Sequence, residues 1–334
     1  MRVAVDAMGG DHAPRVVVEG AVAAARETGR GVTLAGIPDQ IQAELDRLPG
    51  AAHLDIRIAP ASDVVGMGEA PARALRRKPH ASIKVAAGLV ACGEASAMFS
   101  AGNTGAAVLA AYTSLGMIPG AERPALAATL PTQGGTAVLL DVGANANCRP
   151  AHLVTFAVMG NLFARVGLGI SDPRVGLLSI GEEETKGNAL TRDAHARLRE
   201  TRLRFIGNVE PRDVYRGAAD VVVCDGFTGN VVIKVSEGMV EMFETLPHVA
   251  GAAAGAEGPG TAVQAALDAF RKRLDYAEYG GALLLGVAGV CVVGHGRSST
   301  KAVRNAIVMA HRYASEGLVG RLEHELGQLQ GAGV

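Results

Sequence analysis

Short apolar runs alternate with polar, glycine-containing stretches along most of the chain, and this pattern predicts an α/β fold. The runs have the length of buried strands, and most of the segments between them carry apolar residues at helical spacing. Strands alternating with helices are typical of a parallel sheet. Strands are predicted at 2–7, 31–36, 54–59, 95–99, 124–130, 136–141, 174–180, 205–209, 221–224 and 290–294. Helices are predicted at 14–27, 39–48, 62–78, 82–93, from 106, and at 152–166, 193–201, 214–219 and 301–311.

The stretch 221–234 is the centre of the predicted organisation. An apolar strand, 221–224, leads into the polar turn 225–230, and apolar residues resume at 231–234. Open α/β sheets bind ligands in such turns beyond their strand ends. Asp225, Thr228, Gly229 and Asn230 would supply an acceptor, a hydroxyl, a close backbone approach and an amide. A tight turn that merely needs glycine explains the stretch equally well.

Four other predicted strands end in similar turns. After the first strand, Asp6 is followed by Gly9, Gly10, Asp11 and His12, which are candidates for anion binding or proton transfer, or else simple strand-end and helix-capping residues. Three later strand ends add Ser100, Asn103, Thr104 and Gly105; the stretch 141–145 with Asn145; and the charged stretch 181–188 with Lys186. Lys186 could neutralise a phosphate or an oxyanion, or the stretch could be a solvated loop. His152 is expected to be a first-turn helix residue.

These strand ends are expected to converge. The carboxyl ends of parallel strands lie at one edge of a sheet, so the polar turns would line one cleft. The convergence indicates a ligand site more strongly than any single turn does.

Composition excludes several function classes. The formal net charge is −1, from 32 basic and 33 acidic residues, which gives no global argument for binding nucleic acid. Aromatic residues are 4% and Trp is absent, so little surface is available for stacking on bases. Four widely spaced cysteines indicate buried thiols in a reducing compartment, and no spacing suggests a metal site or a cofactor.

The sequence predicts a cytoplasmic protein with a single α/β domain over 1–334. The N-terminus lacks the apolar region of a signal peptide, and the longest apolar run, 282–293, is too short to span a bilayer. Residues 239–275 are expected to insert a helical hairpin with a small-residue tip. This insertion is either a contact element or a flexible surface loop.

In chain order, the motifs resemble those of a known family. They are VDAMGGD at 5–11, SAGNTGA at 100–106, DVGAN at 141–145, GEEETKGN at 181–188, DGFTGN at 225–230, YGGALLLG at 279–286 and GHGRSS at 294–299. Together they are similar to the bacterial phosphate acyltransferase family of phospholipid synthesis, PlsX, over residues 3–314. The resemblance implies a doubly wound α/β/α sandwich like that of phosphotransacetylases and isocitrate- or isopropylmalate-type dehydrogenases.

The resemblance also implies a reaction and its partners. Orthophosphate would attack the thioester of a long-chain fatty acyl group on acyl carrier protein, giving an acyl phosphate without any cofactor. Members of the family are homodimers, and their acyl phosphate feeds a membrane glycerol-3-phosphate acyltransferase. The hairpin is associated with peripheral contact at the inner face of the membrane, which here corresponds to 245–263.

The expected site residues fit this chemistry. The Gly9–Gly10 and 100–105 turns would hold orthophosphate on backbone N–H groups, and Lys186 and Asn230 would stabilise the oxyanion. Asp6, Asp11 and His12 are candidates for orienting phosphate and Lys186. Cys224 as an acyl-enzyme nucleophile remains a minor alternative. Basic residues are candidates for docking the acidic carrier protein, namely Arg73, Arg76, Arg77, Arg271, Lys272 and Arg273. Those on the predicted helix 62–78 could instead form a solvated face.

Two other functions remain open. One is a phosphotransacetylase that uses short-chain acyl-coenzyme A, and the other is a non-catalytic, membrane-associated scaffold that binds acyl carrier protein. A dehydrogenase of the related fold is disfavoured, because the acidic residues are not spaced to hold a metal-bound hydroxy acid.

Overall fold

The computed structural model of the protein describes residues 1–254 and 280–331. Its strands are β1 (Arg2–Asp6), β2 (Gly31–Gly36), β3 (Ile56–Pro60), β4 (Ala97–Ser100), β5 (Ala125–Thr132), β6 (Gly135–Leu140), β7 (Val175–Leu178), β8 (Phe205–Val209), β9 (Val221–Val223), β10 (Ala282–Leu285) and β11 (Val290–Val293). Its helices are α1 (Arg15–Thr28), α2 (Pro38–Asp46), α3 (Pro71–Arg77), α4 (Ser82–Ala91), α5 (Thr104–Leu115), α6 (Pro150–Gly167), α7 (Ala189–Arg199), α8 (Pro211–Arg216), α9 (Gly226–Ala254), α10 (Thr300–Ser315) and α11 (Leu318–Gly331).

The strands of these two described ranges form one mixed sheet in the order β3-β2-β1-β4-β11-β10-β5-β6-β9-β7-β8. Strands β1, β2, β3, β4 and β11 are parallel to one another, as are β6, β9, β7 and β8. Between the two groups, β10 is antiparallel to both β11 and β5, and β5 is antiparallel to β6. The two parallel groups therefore run in opposite directions, and the prediction of one parallel sheet was wrong at its centre.

The opposed strand groups nevertheless end at the same level of the sheet. One continuous row of paired residues crosses it: Val5, Phe99, Val292, Leu283, Ala127, Leu140 and Val223. Val5 and Phe99 lie near the carboxyl ends of their strands, and so do Leu140 and Val223. The two groups therefore meet at one level of the sheet, although their carboxyl ends do not share one edge as expected.

Helices cover both faces of the sheet, because strand residues alternate between two apolar layers. On β1, Val3 and Val5 belong to an apolar layer that also contains residues of α1, α6 and α10, whereas Ala4 belongs to the layer on the other face with residues of α4 and α5. In the second strand group, Val222 of β9 faces a smaller cluster with residues of α8 and α9. This arrangement is the expected doubly wound α/β/α sandwich.

The stretch after β9 differs most from its prediction. Residues 226–234 belong to the first turns of α9, so helix replaces the polar turn that was expected at 225–230. Two causes favour the helix. The Asp225 carboxylate accepts the Thr228 N–H at 2.9 Å, as an N-cap does, and Val232 and Ile233 pack onto the core.

Smaller differences concern boundaries. Strand β10 was missed, because the glycines at 286 and 289 hide a short hairpin within the apolar run 282–293. The predicted helix 62–78 is reduced to α3. Helix α2 starts one residue before its predicted start at Asp39, with Ile37 as its N-cap. Of the expected hairpin at 239–275, α9 accounts for the part up to Ala254, and 255–275 lies outside the described residues.

Within the described ranges, the helices lack the combination of length and apolar character that crossing a bilayer requires.

Candidate functional site

The turns after β1 and β4 pack directly on each other. A Cβ atom added to Gly9 would lie 2.5 Å from Asp6 Oδ2 and 2.8 Å from the backbone nitrogen of Gly102. Gly10 has a φ of +114°, a backbone conformation that residues other than glycine rarely adopt. The two glycine turns predicted to bind phosphate therefore form a single surface, here called the first cluster.

Asp6 and Ser100 support this surface from below. Both are buried, and the Ser100 hydroxyl donates to Asp6 Oδ2 at 2.7 Å while accepting the Gly102 N–H at 3.1 Å. Asp6 Oδ1 is buried without a hydrogen-bond partner in the described ranges. Burial raises the pKa of Asp6, against the opposing effect of the nearby Ser82 and Ser100 hydroxyls.

The start of α5 offers free backbone donors. The Asn103 side chain caps the helix by accepting the Ala106 N–H at 3.0 Å, and its amide donates to the Met67 and Glu69 carbonyls. Asn103 is thus occupied by structural contacts. The exposed Thr104 and Gly105 have no acceptor for their N–H groups among the described residues. Two unpaired donors at the positive end of a helix are suited to an anion.

Asp11 and His12 lie at the exposed rim of the first cluster. The Asp11 N–H donates to the Gly296 carbonyl at 2.8 Å, which ties the β1 turn to the turn after β11. The His12 side chain is exposed, and only its backbone carbonyl is bonded, to the Val16 N–H at 3.2 Å.

The second cluster is built on Asp141, at the end of β6. The Asp141 side chain is fully buried, and its Oδ1 accepts the N–H groups of Leu126, Gly143 and Ala144 at 2.9–3.1 Å. Its Oδ2 accepts both the backbone and the side-chain N–H of Asn145, at 2.7 and 2.9 Å. Burial raises the pKa of Asp141, and these donors oppose the effect. The carboxylate fixes the shape of the whole 141–145 turn.

The Asn145 side chain bonds groups of the chain itself in this turn. Its side chain is buried and also donates to the Pro124 carbonyl at 2.6 Å. Its own carbonyl accepts the Gly226 N–H at 2.8 Å, which attaches the turn to the start of α9.

Helix α9 begins in close contact with Asp141. A Cβ atom at Gly229 would lie 1.9 Å from the Asp141 carbonyl oxygen, and one at Gly226 would lie 2.7 Å from Asp141 Oδ2. Asp225 caps the helix through both carboxylate oxygens. One accepts the Thr228 N–H, and the other accepts the Thr228 hydroxyl at 2.8 Å. Asp225, Thr228 and Gly229 therefore act through the position of α9.

Asn230 remains available as a donor. It is exposed, its Oδ1 lies 3.7 Å from where a Gly143 Cβ would be, and its amide makes no hydrogen bond in the described ranges. Of the polar residues in the predicted DGFTGN turn, it is the one that faces solvent unpaired.

One turn further along α9, a polar group joins the two clusters. Lys234 Nζ lies 2.8 Å from Glu237 Oε2 and 3.1 Å from His295 Nε2, in the turn after β11. Burial lowers the pKa of His295, and the Lys234 charge acts in the same direction while Glu237 opposes it. None of these three residues was predicted as a site residue from the sequence, although His295 lies within the motif GHGRSS.

Lys186 lies at the end of β7, beside β9 in the sheet. Its side chain is exposed, and its ammonium group makes no ion pair within the described ranges. The Glu183 carbonyl accepts the Lys186 N–H at 2.9 Å and the amide of buried Asn208 at 2.8 Å, which fixes the turn that carries Lys186. No contact in the described part of the chain connects Lys186 with Asn230 or with the first cluster.

Comparisons with known proteins indicate the same family as the sequence motifs do. The sequence model described as "Fatty acid synthesis protein" matches residues 1–321. The chain is 48% identical to the phosphate acyltransferase of Trichlorobacter lovleyi, with 99% of this chain and 96% of that protein covered. It is also 48% identical to the phosphate acyltransferase of Heliobacterium modesticaldum, with 99% of each covered.

Solved structures resemble the fold. A phosphotransacetylase from Streptococcus pyogenes superposes with a TM-score of 0.64 at 16% identity, covering 95% of this chain and 94% of that one. A 4-hydroxythreonine-4-phosphate dehydrogenase from Klebsiella pneumoniae gives 0.54 at 15% identity, covering 94% and 97%. The expected likeness to phosphotransacetylase and dehydrogenase-like folds is confirmed.

Gly229 lies so close to Asp141 that adding one methyl group at position 229 should lower the stability of the fold. Gly229→Ala should destabilise the protein by about 1–3 kcal/mol or more, because the backbone of α9 or of Asp141 must move. Gly238→Ala in the same helix is the matched control, since no atom lies within 4 Å of its added Cβ. It should be neutral or stabilising by about 0.5–1 kcal/mol. Urea unfolding measures both, and equal midpoints for the two variants would contradict the packing.

Proposed function

The chain belongs to the phosphate acyltransferase family, and we propose that it transfers a long-chain acyl group from the thioester of acyl carrier protein to orthophosphate. The products are an acyl phosphate and free carrier protein. The observation that carries this proposal is a pair of unlike clusters linked through the Lys234–His295 contact: one has unpaired backbone donors at the start of α5, and the other has an unpaired amide, Asn230, on α9.

The first cluster is the proposed phosphate subsite. The N–H groups of Thr104 and Gly105, at the positive end of α5, would bind phosphate oxygens beside the Gly9–Gly10 turn. Asp6 lies buried beneath these turns and accepts the Ser100 hydroxyl, so it would fix the shape of the subsite. Asp11 and His12, at the rim, would orient the attacking oxygen. An oxygen of the bound phosphate is itself the nucleophile, so the reaction needs no nucleophilic side chain.

The second cluster is the proposed thioester subsite. When a phosphate oxygen attacks the carbonyl carbon, negative charge develops on the carbonyl oxygen, and the Asn230 amide is positioned to donate to it. Lys186 is the second proposed donor, which requires its exposed side chain to reach across from the end of β7. One donor of this kind contributes roughly 2.7–4 kcal/mol to the transition state. Collapse of the adduct breaks the carbon–sulfur bond and releases the thiolate of the carrier.

Cys224 is unsuited to an acyl-enzyme step. It is 3% exposed, and burial raises the pKa of its thiol well above the usual value. A thiol that is neither ionised nor accessible is a poor nucleophile. Direct attack by phosphate therefore remains the proposed route.

Further parts of the proposal concern assembly and location. Phe227, Val231, Val235 and Met239 recur every four residues on α9 and are 46–66% exposed, so they form one apolar face. This face supports a homodimer contact, and a protein that sediments as a monomer at micromolar concentration would refute it.

Peripheral contact with the inner face of the membrane is proposed for 245–263, of which 255–263 lies outside the described residues. It would place a cytoplasmic enzyme near the membrane glycerol-3-phosphate acyltransferase that uses the acyl phosphate. Liposome association that persists after deletion of 250–261 would refute the contact.

Release of thiol from palmitoyl-acyl carrier protein, with and without orthophosphate, tests the reaction. We expect phosphate-dependent release and an acyl phosphate that hydroxylamine traps. Phosphate-independent release would indicate a thioesterase, a preference for acetyl-coenzyme A would indicate a phosphotransacetylase, and carrier binding without release would indicate a scaffold.

We expect the largest loss of turnover when either proposed oxyanion donor, Lys186 or Asn230, is replaced. Lys186→Ala and Asn230→Ala should each lower kcat about a hundredfold or more. Asn230→Asp, which keeps the shape but loses the donor, should lose at least as much, whereas Lys186→Arg, which keeps the charge, should retain part of the rate. Near-normal kcat in both alanine variants, measured on well-folded protein, would refute the assignment.

Asn208 is predicted to act through Lys186, because both bond the Glu183 carbonyl. Asn208→Ala should lower kcat about tenfold in the wild-type background and have little further effect in Lys186→Ala. Ser179→Ala is the matched control: Ser179 Oγ is buried nearby, 2.9 Å from where a Gly187 Cβ would lie, but has no hydrogen-bond partner among the described residues. Equal losses from Asn208→Ala in both backgrounds would show a general structural effect instead.

A further inference from the structure

We propose that α3 docks the acidic carrier protein through Arg73, Arg76 and Arg77, here called the α3 arginine surface. The inference rests on the proposed function and adds to it the place where the carrier binds. Three observations carry it: the state of these arginines, their position beside the first cluster, and the rigidity of the helix that bears them.

The three side chains are exposed and unpaired. None forms an ion pair or hydrogen bond with any of the described residues, although most arginines of those ranges do, such as Arg2, Arg174 and Arg304. Three unpaired cations within five residues create a local positive surface on a chain whose net charge is −1. Attraction of an acidic partner must therefore come from such a local surface and not from the overall charge.

The α3 arginine surface adjoins the proposed phosphate subsite. A Cβ atom at Gly105 would lie 2.6 Å from Cγ of Pro71, the first residue of α3, and one at Gly296 would lie 2.6 Å from Cε of Met67. At about 1.5 Å per residue, Arg77 lies only about 9 Å along the helix from Pro71. A protein bound at this surface stands at the entrance of the site.

The helix is held rigidly in this position. Ala74 and Leu75 are buried between the three arginines, and the Asn103 amide bonds the preceding loop at Met67 and Glu69. Beyond the helix, Lys78 donates to the Val64 carbonyl at 2.7 Å and pairs with Glu69. The backbone that bears the arginines is therefore already ordered before a partner binds.

The chemistry favours an acidic protein over an anionic membrane. Interfacial helices place large apolar side chains beside their basic ones, whereas α3 exposes no large apolar residue of its own. A carrier protein must keep its body outside the cleft while its thioester enters. Complementary charges at the rim of a site serve this purpose, because they steer and orient the encounter.

The test compares two donors of the same acyl group. In the variant Arg73→Glu/Arg76→Glu/Arg77→Glu, we expect kcat/KM with palmitoyl-acyl carrier protein to fall about tenfold or more, mainly through KM. With palmitoyl-pantetheine, which has no protein surface, it should change less than twofold. The matched control is Arg197→Glu/Arg202→Glu/Arg321→Glu, which reverses three other exposed arginines that are unpaired in the described ranges and should leave both donors unaffected.

Several results would overturn the proposal. They are unchanged kinetics with the carrier donor, an equal loss with both donors in folded protein, and a loss in the control variant as large as in the α3 variant. Loss of binding to phosphatidylglycerol vesicles with unchanged carrier kinetics would assign the surface to the membrane instead.

Failure of the proposed function is distinguishable from failure of this inference. If the wild-type protein transfers no acyl group from either donor, the function fails, and the surface is tested by fluorescence anisotropy with unacylated carrier protein. Binding that weakens at least tenfold in the α3 variant alone would still support the docking surface, and equal binding by both variants would refute it.

Discussion

The buried carboxylate of Asp141 is the constraint on which the proposed site depends. Five N–H groups converge on its two oxygens, and together they fold the turn after β6 into one shape. Helix α9 starts against that turn so closely that glycine is required at 226 and 229. Because the start of α9 is fixed, Asn230 faces solvent beside Gly143, and Lys234, one turn later, reaches His295 at the end of β11. A change at Asp141 would therefore disturb both clusters.

The opposed halves of the sheet give the two reactants different surroundings. The first half presents backbone donors at the start of α5, which suit a phosphate ion. The second half presents a side-chain amide on a rigid helix, which suits a developing oxyanion. Three antiparallel pairings at the centre of the sheet, β11 with β10, β10 with β5 and β5 with β6, reverse the direction of the second half and set the level at which the two halves meet. The strand register therefore sets the level at which the two proposed subsites meet.

Much of the fold follows from local pattern, and less of the site does. The strand–turn–helix units at β1, β4 and β7 were predictable, because apolar runs and glycine turns are properties of the nearby sequence. The direction of the second half was not, because it depends on β10, a strand of four residues hidden in a longer apolar run. The helical state of 226–234 was missed, since its valines favour strands locally and only the Asp225 cap and core packing favour a helix. Asn103 and Asn145 resemble ligand-binding residues in sequence, yet their amides are taken up by backbone groups that only the folded chain brings near.

The most direct test of the central claim is the position of orthophosphate in a crystal structure of the protein grown with phosphate. The account predicts phosphate oxygens within hydrogen-bonding distance of the Thr104 and Gly105 nitrogens, beside the Gly9–Gly10 turn and facing Asn230 across the cleft. Phosphate held instead at the 141–145 turn, or bound by the 181–188 loop without contact to α5, would contradict the division of the site into a phosphate half and a thioester half.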